Sequence, residues 1–136
     1  IEKLLYYFGM LKSSFINYPA LYSIHLNNCR FYAFHGMHEE ETTVGAPFEV
    51  SLSAHFDAAA PIKHLKETIN YVDVFDCVKS HFGRAVPLLE TLAQEITDHI
   101  YQLDNRIKKI SISITKLNPP IAGFTGTIGV SYSKIF

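Results

Sequence analysis

The sequence predicts an α+β domain: a four-stranded antiparallel sheet with two helices on one face, in the order ββααββ. Three observations carry that prediction. Phe48, Val50, Leu52, Ala54 and Phe56 alternate with Glu49, Ser51, Ser53 and His55, the period-two pattern of a half-buried strand. Leu89, Leu92, Ala93, Ile96 and Ile100 recur at offsets of 0, 3, 4, 7 and 11, the stripe of an amphipathic helix. Ile110-Ser111-Ile112-Ser113-Ile114-Thr115 returns to period two. Helices grouped between pairs of strands cover one face of an antiparallel sheet.

Taken in order, Ile1 to Ala20 is apolar and aromatic and reads as an N-terminal extension to a single domain over residues 21–136. It lacks the basic region and small-residue cleavage pattern of a secretory signal, and no stretch reaches the ~18 apolar residues that span a bilayer. Met10 offers an alternative start. Ser23 to Phe34 ends in an aromatic cluster and reads as a strand closing at His35-Gly36. Met37 to Pro47 is polar and broken by Gly45 and Pro47, so a long connection is expected. After the Phe48–Phe56 strand, Asp57 to Ile69 is linker-like and holds Pro61. In Tyr71 to Phe82 the apolar positions Val72, Phe75, Val78 and Phe82 fall near one stripe, with Asn70 as N-cap and Gly83 at the C-cap position. The second helix opens after Pro87. Asn105 to Thr115 is the third strand and Ile128 to Ser133 the fourth, separated by a loop marked by Pro119, Pro120, Gly123 and Gly126. The second face of this sheet carries Ser, Thr and His, so it is no second dry core. Each edge strand is a place where another subunit can pair.

A chain of 136 residues fits one domain. With 48% hydrophobic and 18% charged residues it suits a soluble globular protein. A net charge of -1 gives no global field to attract nucleic acid or an anionic membrane. Cys29 and Cys77 form no CxxC pair and read as free, buried thiols in a reducing, cytoplasmic setting.

Lys116 follows the isoleucine–serine run and by parity belongs to the isoleucine row. It either snorkels out at the strand end or meets a partner, because an unpaired buried ammonium is costly. Glu90 stands in the first turn of the second helix, at the edge of its apolar stripe. It either serves the helix dipole or waits at a cleft rim for paired N–H donors. Tyr71 either packs or positions a phenol for proton transfer. The loop His35-Gly36-Met37-His38-Glu39-Glu40-Glu41 gathers imidazoles and carboxylates, yet the chain has no HxH, HExxH or CxxC. No metal site is expected, and Glu39 and Glu40 read as solvated. No P-loop, GxGxxG turn or GxSxG elbow occurs.

Phe31-Tyr32-Ala33-Phe34-His35-Gly36, then Glu41 and Gly45, resemble the opening motif of the dihydroneopterin aldolase family. Thr68-Ile69-Asn70-Tyr71-Val72-Asp73-Val74, Leu88-Leu89-Glu90-Thr91-Leu92-Ala93, Ile114 to Ile121 and Gly126 to Val130 continue the resemblance in one register. Ala122 stands where the family often has proline. The resemblance implies a tunnelling fold whose sheets join into an oligomeric barrel, a homo-tetramer or homo-octamer with active sites at subunit interfaces. It implies retro-aldol cleavage of 7,8-dihydroneopterin with no cofactor and no metal, the pterin's own C=N bond taking up the electrons. Lys116 is then the acid–base group. Tyr71, from a neighbouring subunit, helps move a proton, and Glu41 holds the catalytic end or its water. Glu90 pairs with the pterin's amino and ring N–H edge, backbone near Leu89 completes recognition, and Thr68 is a further contact. On this view the partner of Lys116 comes from another chain. An epimerase acting on dihydroneopterin or its triphosphate, or a pterin-binding module without turnover, are the alternatives.

Overall fold

The computed structural model describes residues 20–136. The expected extension lies outside them except for Ala20, which opens the first strand. The elements run β1 (Ala20–Ala33), a short α1 (Glu39–Thr43), β2 (Ala46–Ala58), a 3-10 turn (Leu65–Glu67), α2 (Tyr71–Phe82), α3 (Leu89–Leu103), β3 (Ile107–Lys116) and β4 (Ile128–Ile135). The strands form one antiparallel sheet in the order β1-β2-β3-β4.

The alternating rows do what their period demands. Phe48, Val50, Leu52, Ala54 and Phe56 of β2 are buried, as are Ile110, Ile112 and Ile114 of β3. They meet Val74, Val78 and Phe82 of α2 and Leu92, Ala93, Ile96 and Ile100 of α3 in one apolar core. Truncating a fully buried member such as Ile96 would cost about 2–5 kcal/mol. β1 hides its pattern because it changes parity midway. Ile24 and Leu26 face the core, the register slips between Leu26 and Cys29, and Phe31 and Ala33 then face the core. Asn28 makes the slip with a left-handed backbone, φ 55°. Its N–H donates to Ser51 Oγ at 3.0 Å, holding the bulge to β2.

The opposite sheet face is polar. His25 Nδ1 and Ser53 Oγ lie 2.7 Å apart, as do Ser23 Oγ and His55 Nδ1, and Ser133 donates to Ser111 at 2.9 Å.

Asn70 caps α2 as expected, its Oδ1 accepting from the Val72 N–H at 3.0 Å. Gly83 ends the helix but keeps a right-handed backbone, φ −78°, so no left-handed cap forms. Three other expectations need correction. The connection from Met37 to Pro47 contains α1, because the side chains of Thr42 and Thr43 both bond the Glu39 carbonyl and tie one turn together. Cys29 is half-buried rather than buried; only Cys77 is enclosed, and burial pushes its thiol up to about 11. β1, β2 and β4 also run two or three residues beyond one or both expected ends. No helix among the described residues is long and apolar enough to cross a membrane.

Candidate active site

β3 carries the isoleucine row to its last residue, Lys116, which pairs across the sheet with Phe48. Parity aims its side chain at the helix side, where the core ends. There it meets Glu41. The Lys116 ammonium bonds Oε2 of Glu41, and the His38 N–H donates to Oε1 at 3.4 Å. The Glu41 side chain is only 4% exposed and that of Lys116 18%. A carboxylate this far out of water needs its cation, and removing either partner strands a buried charge. The partner of Lys116 therefore lies in its own chain, contrary to expectation. α1 is what delivers it: residues 39–43 form one turn, with Glu39 and Glu40 outward and Glu41 inward.

Gly36 makes room for the carboxylate. Its φ of 144° is closed to L side chains, and a Cβ there would run into the Glu41 carboxylate.

The pair opens on a cleft of about 300 Å³. Leu89 and Glu90 at the start of α3 form one wall; Met37, Pro120, Ile121 and Ile128 close the others. Among the described residues Glu90 has no side-chain partner, and its carboxylate is exposed. No side chain caps α3, whose N-cap is Leu88, so the first-turn N–H groups remain available beside Glu90. The site thus offers a charged acid–base pair, a free carboxylate and backbone donors on apolar walls. That set suits a flat, neutral heterocycle with an N–H edge.

The family model for dihydroneopterin aldolase matches residues 24–133. The chain belongs to this family. A dihydroneopterin aldolase of Streptococcus pyogenes serotype M18 (strain MGAS8232) is 36% identical over 112 residues, covering 80% of this chain and 94% of the relative. A second from Streptococcus pyogenes is 35% identical over the same span. Solved family structures share the fold. FolB from Vibrio cholerae superposes with a TM-score of 0.73 at 18% identity, covering 86% of this chain and 99% of that one. The E. coli dihydroneopterin aldolase in complex with neopterin gives 0.66 at 16% identity, covering 83% and 98%.

Of the residues the family resemblance marks, four converge on the cleft: Lys116, Glu41, Glu90 and Leu89. Thr68 and Tyr71 do not. The Thr68 carbonyl accepts from Arg106, next to the first residue of β3, at 2.8 Å. Lys116 ends the same strand, so the two regions lie about 30 Å apart at ~3.3 Å per residue. Thr68 instead lines a cavity of about 460 Å³ with Asn70 and Arg106, and Tyr71 starts α2 exposed.

His35 opens the polar loop in sequence but belongs to the core. It is 1% exposed, edge-on to Phe48 and Phe82. The Val86 N–H donates to its Nδ1 at 3.0 Å, so Nε2 carries the proton and has no partner. Burial, then the charge of Lys116, hold the imidazole down at about 4. Together with the Gly36 N–H to Val86 carbonyl bond, it fixes the approach to α3 against the loop that carries Glu41. The aromatic cluster just before it was the available signal.

Proposed function

We propose that this chain is a dihydroneopterin aldolase, a carbon–carbon lyase of folate biosynthesis. The convergence of the Lys116–Glu41 pair and the free Glu90 on one apolar cleft carries the reading. Glu90 and the first-turn N–H groups of α3 bind the pterin edge, the carboxylate accepting from the amino group and ring N–H. This sets the trihydroxypropyl side chain toward Lys116. The amine, directly or through water, takes the proton of the hydroxyl on the second side-chain carbon. That oxygen becomes the carbonyl of glycolaldehyde as the bond between the first and second side-chain carbons breaks. The released electron pair enters the pterin C=N bond, giving an enol-like intermediate. Protonation at the first carbon yields 6-hydroxymethyl-7,8-dihydropterin. Glu41 holds the Lys116 side chain in place as it passes from amine to ammonium.

Tyr71 delivers the final proton from a second subunit, since in one chain it stands at the far end of the domain. The edge strands β1 and β4 are the surfaces through which subunits join into a barrel. A cytoplasmic setting accompanies this reading.

The test is product analysis on 7,8-dihydroneopterin and its triphosphate side by side, with no metal added. Glycolaldehyde and the hydroxymethyl pterin are expected from the first. An epimer alone would make the chain an epimerase, and tight pterin binding without product would make it a binding module.

A further inference from the structure

Between the outer turns of α2 and α3 lies a cluster that the aldolase reading does not use. Cys77 and His81 are one turn apart on α2, and so share a face. His99 of α3 comes up against them. The ligating atoms of the three all lie within 4.8 Å of one another. His81 Nε2 and His99 Nδ1 are 2.9 Å apart. None of the three lines the Lys116 cleft.

We propose that Cys77, His81 and His99 form a binding site for one zinc ion, which staples α2 to α3. A thiolate with two imidazoles is a donor set that suits zinc. Tetrahedral zinc holds imidazole nitrogens about 3.3 Å apart and sulfur about 3.5 Å from each nitrogen, given Zn–N near 2.0 and Zn–S near 2.3 Å. The imidazole pair must open by a few tenths of an ångström and the thiol must close by at most about 1.3 Å, both within rotamer adjustment. Cys77 is buried, His81 half-buried and His99 exposed, so the cluster runs from core to solvent and leaves an entry path. The fourth position faces water. Glu95, one turn before His99 on α3, brings a carboxylate to the same face; it holds Arg84 at 3.2 Å and so offsets that cation. The chain lacks the usual zinc spacings because its ligands are divided between two helices, and only the α2–α3 packing joins them.

The test uses tag-free protein stripped of metal. Zinc titrated against a chromophoric chelator should bind at one equivalent per chain and raise the thermal midpoint. Cobalt should give a thiolate charge-transfer band and the ligand-field bands of a tetrahedral site. Cys77→Ser should abolish the charge-transfer band. His99→Ala, at an exposed position that folding tolerates, should lower zinc affinity on the order of 100-fold. Zinc affinity unchanged in His99→Ala, or cobalt bound by the parent protein without a thiolate band, would overturn the proposal. So would the absence of a one-equivalent site in the parent protein.

Discussion

At one end of β3, Lys116 meets a carboxylate that has been taken almost wholly out of water; at the other, Arg106 meets Asp104 while nearly half of its own side chain stays in it. The two ion pairs differ in what they leave over. Arg106 gives its donors to Asp104 and to the carbonyls of Lys66 and Thr68, and its hydrogen bonds hold the Asp104 carboxyl below the usual range. Such a fully committed group closes a loop. The Lys116 pair borders an apolar cleft beside an unpaired carboxylate and uncapped helix N–H groups, so its surroundings are poised to bind something. Yet Thr68 and Tyr71, which the family resemblance assigns to the same chemistry, stand at the Arg106 end. On the proposed reading, a complete site requires the Arg106 end of one chain to meet the Lys116 end of another.

The sharpest way to break this comparison is to remove the amine. Lys116→Ala should lower turnover by about 10²–10⁴-fold while pterin affinity changes far less. Single-turnover rates and equilibrium binding separate the two, and the reverse pattern would reassign Lys116 to recognition. Tyr71→Phe should cost on the order of 100-fold in turnover. If the two ends serve one site across subunits, co-refolding Lys116→Ala with Tyr71→Phe chains should restore activity that neither homogeneous variant has. A mixture that stays inactive, or an active monomer by light scattering, would confine the site to one chain.

Beneath the Lys116 end, His35 should make stability depend on pH. Its folded value of about 4 lies below the ordinary 6.5, so between the two only the unfolded chain binds the extra proton. Its contribution is full above 6.5 and is lost as pH falls toward 4, amounting to about 3 kcal/mol. His35→Asn keeps an acceptor for the Val86 N–H and should flatten that slope in urea titrations. Glu90→Ala should weaken pterin binding by about 10- to 100-fold, the worth of a charge-assisted hydrogen bond, with bound substrate still turned over. At the committed end the effect is smallest: Arg106→Ala should cost about 1 kcal/mol, or about 4 °C in thermal midpoint.

The sequence was most legible where period and burial agree. The β2 and β3 rows and α3 follow from apolar spacing alone, and Lys116 is placed by parity before any partner is known; α2 forms where expected, but its buried stripe is Val74, Cys77, Val78 and Phe82, and Val72, expected on it, is exposed. β1 was harder because a bulge at Asn28 swaps faces midway, so its two halves read as a mixture. Glu41 had the opposite difficulty. Three adjacent glutamates look alike in sequence, and only the single turn of α1 decides which one points inward. The Cys77, His81 and His99 cluster depends on helix-to-helix packing, which no local spacing encodes. Its one sequence trace was a cysteine and a histidine four residues apart on a helix.

The Lys116–Glu41 pair also bears on the order in which the chain comes together. Its two residues are 75 positions apart, and they meet only once β2 and β3 have paired up to Phe48 and Lys116. Contacts of such long range form late, after loop closure has been met by nearer ones. α1, five residues long with only Glu41 buried, has little to hold it beforehand. The cleft should therefore be the last part of the domain to set and the first to loosen. In native-state hydrogen exchange, the Val44 amide bonded to Glu40 should open well before the amides of β2, while the helices stay intact. The chemistry would then rest on the least durable corner of a durable fold.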